Sequence, residues 1–180
     1  MEKTLSQYNQ TVSVCRELFE KKMRDYGTSW RILRPESVTD QIYIKAQRIQ
    51  SIERKKTQKI GDDVRSEFIG IVNYSLIGLM QLAMDESIPV ELESNFAMSL
   101  YDSNIEKVRE LMIAKNHDYG EAWRSMRISS YTDLILMKIY RTKQIEDNRG
   151  ITTVSEGIEA NYMDMINYAI FALIKLDFNE

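Results

Sequence analysis

Apolar residues recur at helical spacing along most of the chain. They form one stretch in the first 30 residues and another after residue 100, namely Val12, Cys15, Leu18, Phe19 and Met23, then Ile105, Val108, Leu111 and Met112. This spacing is typical of amphipathic helices. Gly27 and Gly120 follow the two stretches, and glycine suits the left-handed residue that ends a helix. The pattern therefore predicts helices that end at Gly27 and at Gly120.

Two further helices are predicted after each glycine. The sequence predicts capping boxes at three helix starts, Ser37-x-x-Asp40, Ser103-x-x-Glu106 and Ser130-x-x-Asp133. The third helix of each half is the most apolar, around residues 68–80 and 162–174. No segment alternates long enough to predict a strand. The fold class predicted is all-α, a helical bundle of two tandem three-helix repeats with pseudo-two-fold symmetry, whose third helices meet centrally.

The two halves are an internal duplication. Residues of the first half return at a constant offset of 93 positions, as Arg16 does at Arg109. The repeated residues include charged and aromatic ones, among them Lys22, Asp25, Tyr26, Trp30, Arg31, Lys45 and Arg48 against Lys115, Asp118, Tyr119, Trp123, Arg124, Lys138 and Arg141. We expect residues 1–88 and 89–180 to be two repeats of one compact domain, because about 90 residues are few for a stable unit.

Bulk composition narrows the classes of function. A net charge of −3 over 180 residues argues against stable nucleic-acid binding, since such proteins usually carry a basic excess. The single cysteine allows no internal disulfide. The first residues, Met1-Glu2-Lys3-Thr4, are not followed by an apolar stretch, so we expect no secretion signal, and no apolar run reaches the roughly 18 residues of a membrane helix. The composition predicts a cytoplasmic protein without membrane contact. A homo-oligomer is left open.

A repeated turn motif is the first candidate site. In the second half it contains Lys115, Asp118, Tyr119, Trp123, Arg124 and Arg127. Its aromatic side chains are predicted to stack on a base, and its arginines to bind phosphate. The alternative is a helix end whose Tyr and Trp fill the end of the bundle, with the arginines solvated or paired with Asp118.

The predicted second helix carries Asp133, Lys138 and Arg141. Lys138 and Arg141 lie about 60° apart on a helix, so they can project into one cleft. Asp133 has an alternative role as the acidic member of a capping box. The alternative for Lys138 and Arg141 is an ordinary salt-bridged helix surface.

The third helix of the second half combines Glu156, Glu159, Asp164 and Asn167 on one broad face. The three carboxylates are predicted to be catalytic and to bind Mg²⁺, a cation that prefers oxygen ligands. The alternative is a capping box at Thr153-x-x-Glu156, a solvated Glu159 and an Asp164 paired with a basic residue of the second helix. In the first half Asp62 aligns with Glu156, but Arg65 and Gly70 replace Glu159 and Asp164. The first half is therefore predicted to have a degenerate site.

These stretches resemble a known family, nucleotide modification associated domain 1. The resemblance rests on Lys115-Asn116-His117-Asp118-Tyr119-Gly120, on Asp133, Lys138 and Arg141, and on Glu156, Glu159, Asp164 and Asn167-Tyr168-Ala169. It implies an association with nucleotide metabolism or base modification.

A more distant similarity is to MazG-like all-α nucleoside triphosphate pyrophosphohydrolases. Those enzymes hold Mg²⁺ with two acidic pairs. Here Glu156-x-x-Glu159 is present, and Asp133 with Lys138 and Arg141 replaces the earlier pair. We expect a protein that handles a nucleotide or small phosphorylated ligand, as a Mg²⁺-dependent (deoxy)nucleoside triphosphate phosphohydrolase. The alternatives are a non-catalytic nucleotide sensor or adaptor and a structural helical partner.

Overall fold

Six α-helices make up most of the computed structural model, which describes residues 1–56 and 63–180. The helices are α1 (Glu2–Tyr26), α2 (Pro35–Lys55), α3 (Val64–Leu82), α4 (Ser94–Tyr119), α5 (Ile128–Asp147) and α6 (Ile158–Phe178). Short 3-10 helices, Ser29–Ile32 and Ala122–Ser125, follow α1 and α4. No strand occurs in these parts of the chain, so the predicted all-α class is confirmed.

The helices follow the predicted pseudo-two-fold arrangement. The apolar helices α3 and α6 make the most extensive contact between elements, which confirms that the third helices meet centrally. α2 packs on α3, α5 packs on α6, and α2 also contacts α5 across the pseudo-axis. Helices α1 and α4 each contact both central helices. The predicted boundary between the repeats, 88/89, lies in the segment that joins α3 to α4.

The glycine helix ends are confirmed, whereas the predicted capping boxes are wrong. Gly27 and Gly120 follow α1 and α4 with φ of 61° and 62°. Ser103, however, lies inside α4, where its hydroxyl donates to the Leu100 carbonyl. Thr153 lies before the start of α6, whose N-cap residue is Gly157. A four-residue pattern cannot distinguish a cap from a helix interior, because Ser and Thr hydroxyls also bond to carbonyls within a helix.

The starts of α2 and α5 also precede the predicted capping boxes. α2 begins at Pro35, where a fixed φ and a missing N–H suit the first helical position. α5 begins at Ile128 after an extended Arg127, and neither helix has a side-chain cap. Asp133 is therefore an exposed residue in the second turn of α5 and not a cap.

Buried asparagines join the two repeats. Asn167 on α6 accepts a hydrogen bond from the Tyr8 hydroxyl at 2.9 Å and donates to the Val108 carbonyl at 3.2 Å. The same contacts recur around α3, where they are made by Asn73, Tyr101 and Cys15. Each asparagine therefore bonds to a tyrosine from the other repeat. This arrangement places Asn167 in the interior and not at a ligand site, contrary to its predicted role in substrate binding.

A second symmetric pair lies where α2 and α5 meet. The Thr132 hydroxyl donates to Glu53 at 2.9 Å, and the Thr39 hydroxyl donates to Glu146 at 2.7 Å. Burial raises the pKa of both carboxyl groups, and the threonine bonds offset this only in part.

This burial predicts a pH-dependent stability. A raised pKa in the folded state stabilises the fold below the ordinary glutamate value, near pH 4.5, and the contribution is lost as pH rises through the raised pKa. Glu53→Gln with Glu146→Gln keeps both acceptors, so its stability relative to wild type should rise with pH in urea titrations. Glu17→Gln is a control of opposite sign, because the Lys21 ammonium lowers the pKa of Glu17. A stability difference between the double variant and wild type that does not change with pH would contradict the prediction.

Candidate functional site

A buried carboxylate lies between two lysines in the second repeat. α6 places Asp164 in the interior, 5% exposed. One of its oxygens accepts from the Lys115 ammonium at 2.5 Å, and the other accepts from the Lys138 ammonium at 2.6 Å. Burial alone would lower the pKa of Lys115, but the bond to Asp164 and its charge outweigh this and raise that pKa. We call these residues the Lys–Asp–Lys cluster.

The cluster removes Asp164 from the predicted metal site. Both of its carboxylate oxygens bond to ammonium groups, which repel a cation. Glu156 precedes α6 and is exposed, as is Glu159 in the first turn. Within residues 1–56 and 63–180, no group of three or more His, Cys, Asp or Glu side chains is placed to hold a metal ion. The three predicted ligands therefore do not come together and do not fit Mg²⁺. Asp62 lies outside the described residues.

The predicted base platform is part of the core. Trp123 is 6% exposed and stacks on Phe171, with ring centroids 4.4 Å apart and planes 7° apart. The Arg124 guanidinium covers the Trp123 ring, 4.3 Å from its centroid. Tyr119, in contrast, is 76% exposed. The alternative interpretation of the motif, an aromatic plug at the bundle end, describes Trp123 better than stacking on a ligand.

Arg124 is held by residues of α1, by Glu121 and by Glu180. It forms ion pairs with Glu121 and Glu180 at 2.8 and 3.2 Å, and it donates to Thr4 and Gln7 at 2.8 Å. These contacts leave little of this arginine for a phosphate. Its role is to tie the first turns of α1 and the C-terminal residue to the turn after α4.

Two further residues of the turn motif, Asp118 and Arg127, are exposed. Asp118 is exposed beside His117, with Nδ1 and Oδ1 3.1 Å apart. Arg127 is the exposed N-cap residue of α5. Asp118, Arg127 and Asp133 line neither the cavity beside α5 nor the cavity between α1, α2 and α3.

A large open cavity lies beside α5, and we call it the α5 cavity. Its volume is about 1020 Å³, and it lies between the second half of α5 and residues 148–157. Lys138 and Arg141 both line it, together with Glu156 and Asn161. The expectation that the two cations of α5 reach one cleft agrees with this placement. The hydroxyl groups of Thr152, Thr153 and Ser155 add neutral donors and acceptors.

Two polar groups in the α5 cavity have unused bonding capacity. Arg141 makes no hydrogen bond or ion pair within the part of the chain that the structure describes. Asn161 is 4% exposed and donates to the Gly157 carbonyl, but its side-chain oxygen is buried without a partner among the described residues. Asn161 was not among the residues predicted from the sequence. Its signal was a polar residue in the first turn of an otherwise apolar helix.

The fold and the cavity together define an all-α, two-repeat bundle with a polar cleft in its second repeat. The nucleotide modification associated domain 1 family matches the chain in two segments, residues 22–82 and 115–176. The chain therefore belongs to this family, and the two matches coincide with the two repeats. No curated protein and no solved structure matches the chain significantly. None of the helices in the described residues is long and apolar enough to cross a membrane.

Proposed function

We propose that this chain binds a nucleotide or another small phosphorylated ligand in the α5 cavity. The observation that carries the proposal is the Arg141 guanidinium, which has no partner among the described residues and lines the same cavity as Asn161, whose buried side-chain oxygen has no partner there either. A guanidinium can donate two parallel hydrogen bonds to a phosphate. The Asn161 oxygen accepts from an amino or hydroxyl group, which a base or a sugar supplies. Membership of a nucleotide-associated family supports the same class of ligand.

The cavity is large enough for a nucleotide. Its volume, about 1020 Å³, is at the upper end of the roughly 300–1,000 Å³ that small-molecule sites occupy. The charges on its walls are balanced, since Asp147 and Glu156 accompany Lys138 and Arg141. A zwitterionic or mixed polar ligand with one phosphate-bearing end suits this balance better than a long polyanion such as nucleic acid.

Binding without turnover is the form of the function that the side chains favour. The predicted Mg²⁺-dependent phosphohydrolase needs carboxylates that are free to coordinate a cation, and Asp164 bonds to two lysines instead. We therefore derive no hydrolytic step and propose a nucleotide sensor or adaptor. A hydrolase remains the second candidate only through Glu156, the one predicted metal ligand among the residues that line the cavity.

The test is the affinity of an arginine variant. Arg141→Met keeps the aliphatic stem and removes the phosphate donors, so we expect nucleotide affinity to fall about tenfold or more, as for a lost charge-assisted hydrogen bond. Isothermal titration calorimetry with deoxynucleoside mono- and triphosphates, with and without Mg²⁺, measures it. Arg127→Met is the charge-matched control at an exposed position outside the cavity.

Turnover is followed in the same samples by chromatography of the nucleotides. Tight binding with intact nucleotide supports a sensor or adaptor, and release of phosphate or pyrophosphate would support the hydrolase instead. The absence of binding by every nucleotide, or equal losses in Arg141→Met and Arg127→Met, would refute the proposed site.

A further inference from the structure

The first repeat contains a separate cavity, although the sequence predicts a degenerate site there. This first-repeat cavity has a volume of about 450 Å³ and lies between α1, α2 and α3. Aromatic side chains form much of its wall, namely Phe19, Tyr26, Trp30 and Tyr74. Its charged lining residues are Lys22, Lys45 and Glu67. The volume is within the usual range for a small-molecule site.

Comparison of the repeats explains why this space is open. Asp164 and Phe171 of the second repeat correspond to Gly70 and Ile77 of the first. Asp164 fills its place with the Lys–Asp–Lys cluster, and Phe171 fills its place by stacking on Trp123. Gly70 and Ile77 both line the first-repeat cavity. The first repeat thus has two smaller side chains where the second repeat has two larger ones, and a cavity remains in the first repeat.

The loss of the aspartate also leaves a lysine without its partner. Lys22 corresponds to Lys115, but it makes no hydrogen bond or ion pair among the residues that the structure describes. Lys45 corresponds to Lys138 and lies 3.4 Å from Glu67, an acid one helical turn before Gly70. Arg48 pairs with the same glutamate. Glu67 is therefore neutralised by other cations, and the positive charge of Lys22 is unbalanced.

The Lys45 side chain lies close to Gly70 and lines the same cavity. A Cβ atom at Gly70 would lie 2.6 Å from Lys45 Cε and 3.0 Å from its Nζ. The ammonium group thus lies beside the point at which an aspartate side chain would begin. An incoming anion at this point would contact Lys45 and the free Lys22, as Asp164 contacts the equivalent lysines.

We propose that the first-repeat cavity binds a small aromatic anion. Its acid group, a phosphate or a carboxylate, takes the place of the absent aspartate between Lys22 and Lys45. Its ring lies against the aromatic wall that includes Trp30 and Tyr26, where flat rings pack favourably. This second site is independent of the α5 cavity, because it shares no lining residue with it.

Trp30 supplies the readout. It lines the first-repeat cavity, whereas the only other tryptophan, Trp123, is stacked in the core. Titration with adenosine 5′-monophosphate or benzoate should therefore change the tryptophan fluorescence saturably, and Trp30→Phe should abolish the change. Adenosine, which lacks the anion, should bind at least tenfold more weakly than the monophosphate. No saturable change with either anion at millimolar concentration would overturn the proposal. Adenosine binding as tight as that of its monophosphate would also overturn it.

Gly70→Asp tests the void directly. It rebuilds the arrangement of the second repeat, and the atoms nearest to its new Cβ belong to the movable end of the Lys45 side chain, so the variant should fold. We expect its affinity for the anion to fall at least tenfold. Lys22→Met should do the same, and Lys21→Met, an exposed neighbour on the same helix, is its charge-matched control. Wild-type affinity in Gly70→Asp, or equal losses in Lys21→Met and Lys22→Met, would overturn the proposal.

The two proposals fail separately. Arg141→Met should leave the Trp30 response unchanged, since Arg141 lines only the α5 cavity. A Trp30 response that disappears in Arg141→Met and survives in Gly70→Asp would overturn this inference and keep the α5 cavity as the site.

Discussion

Asp164→Ala will destabilise the folded chain by about 3–5 kcal/mol, the usual loss when one partner of a buried ion pair is removed. The reason is Lys138, whose side chain is 9% exposed and whose ammonium bonds to Asp164. Without the carboxylate this charge stays in the interior without a partner. Lys115 is 45% exposed and can turn towards solvent, so it adds little to the loss. Urea unfolding followed by circular dichroism measures the change.

A compensating variant separates the ion pair from simple loss of packing. Asp164→Ala combined with Lys138→Met removes the stranded charge and fills the space with an apolar chain, so it should recover a large part of the stability. Asp133→Ala, an exposed residue on α5, should change stability by less than about 0.5 kcal/mol. A loss below about 1 kcal/mol in Asp164→Ala would contradict the structural role. A stabilisation by Mg²⁺ that requires Asp164 would restore the metal hypothesis.

The fold was largely predictable because duplication and periodicity are signals along the whole chain. The 3.6-residue spacing located the helices, and the repeated Gly27 and Gly120 located two of their ends. The starts were less predictable. Ser103 and Glu106 match a capping box, yet the helix already begins at Ser94. A helix start depends on where the preceding segment enters the bundle, and four residues do not contain that information.

The candidate site was predictable only where one helix determines it. Lys138 and Arg141 share a face of α5, and both line the α5 cavity. The partners of Asp164 come from other helices, and a helical wheel cannot show whether such a partner is a metal ion or a lysine. The tryptophan retained in both repeats, Trp30 and Trp123, was equally ambiguous between a ligand platform and a core residue, because core residues also survive duplication. The stacking of Trp123 on Phe171 decides the question for the second repeat.

The first repeat shows a further limit of aligning the two halves. Gly70 replaces Asp164 in the alignment, so the acid is absent there. In the structure Glu67, one turn earlier on α3, pairs with Lys45 and Arg48. The carboxylate that pairs with the lysine of the second helix therefore lies one helical turn earlier in the first repeat than in the second, whereas the lysine lies at the equivalent position in both. Position-by-position comparison misses such an exchange, since residues three apart lie on the same face of a helix.

Asn167→Ala will destabilise the chain by about 3 kcal/mol. It leaves the fully buried Tyr8 hydroxyl without an acceptor, which costs about 1–3 kcal/mol, and it removes the hydrogen bond to the Val108 carbonyl, worth about 1 kcal/mol. The hydrogen bond that is lost joins the two repeats, because Tyr8 belongs to α1 and Asn167 to α6. Asn73→Ala should give a similar loss, since Tyr101 and Cys15 make the equivalent contacts.

A double-mutant cycle tests whether the hydrogen bond itself carries this effect. Tyr8→Phe combined with Asn167→Ala removes both partners, so the loss should fall short of the sum of the single losses by about 1 kcal/mol or more. Nucleotide affinity per folded molecule should not change in Asn167→Ala, because the side chain is fully used inside the bundle. Additive losses would show that the hydrogen bond does not carry the effect, and a nucleotide affinity that falls in Asn167→Ala would return Asn167 to the ligand site.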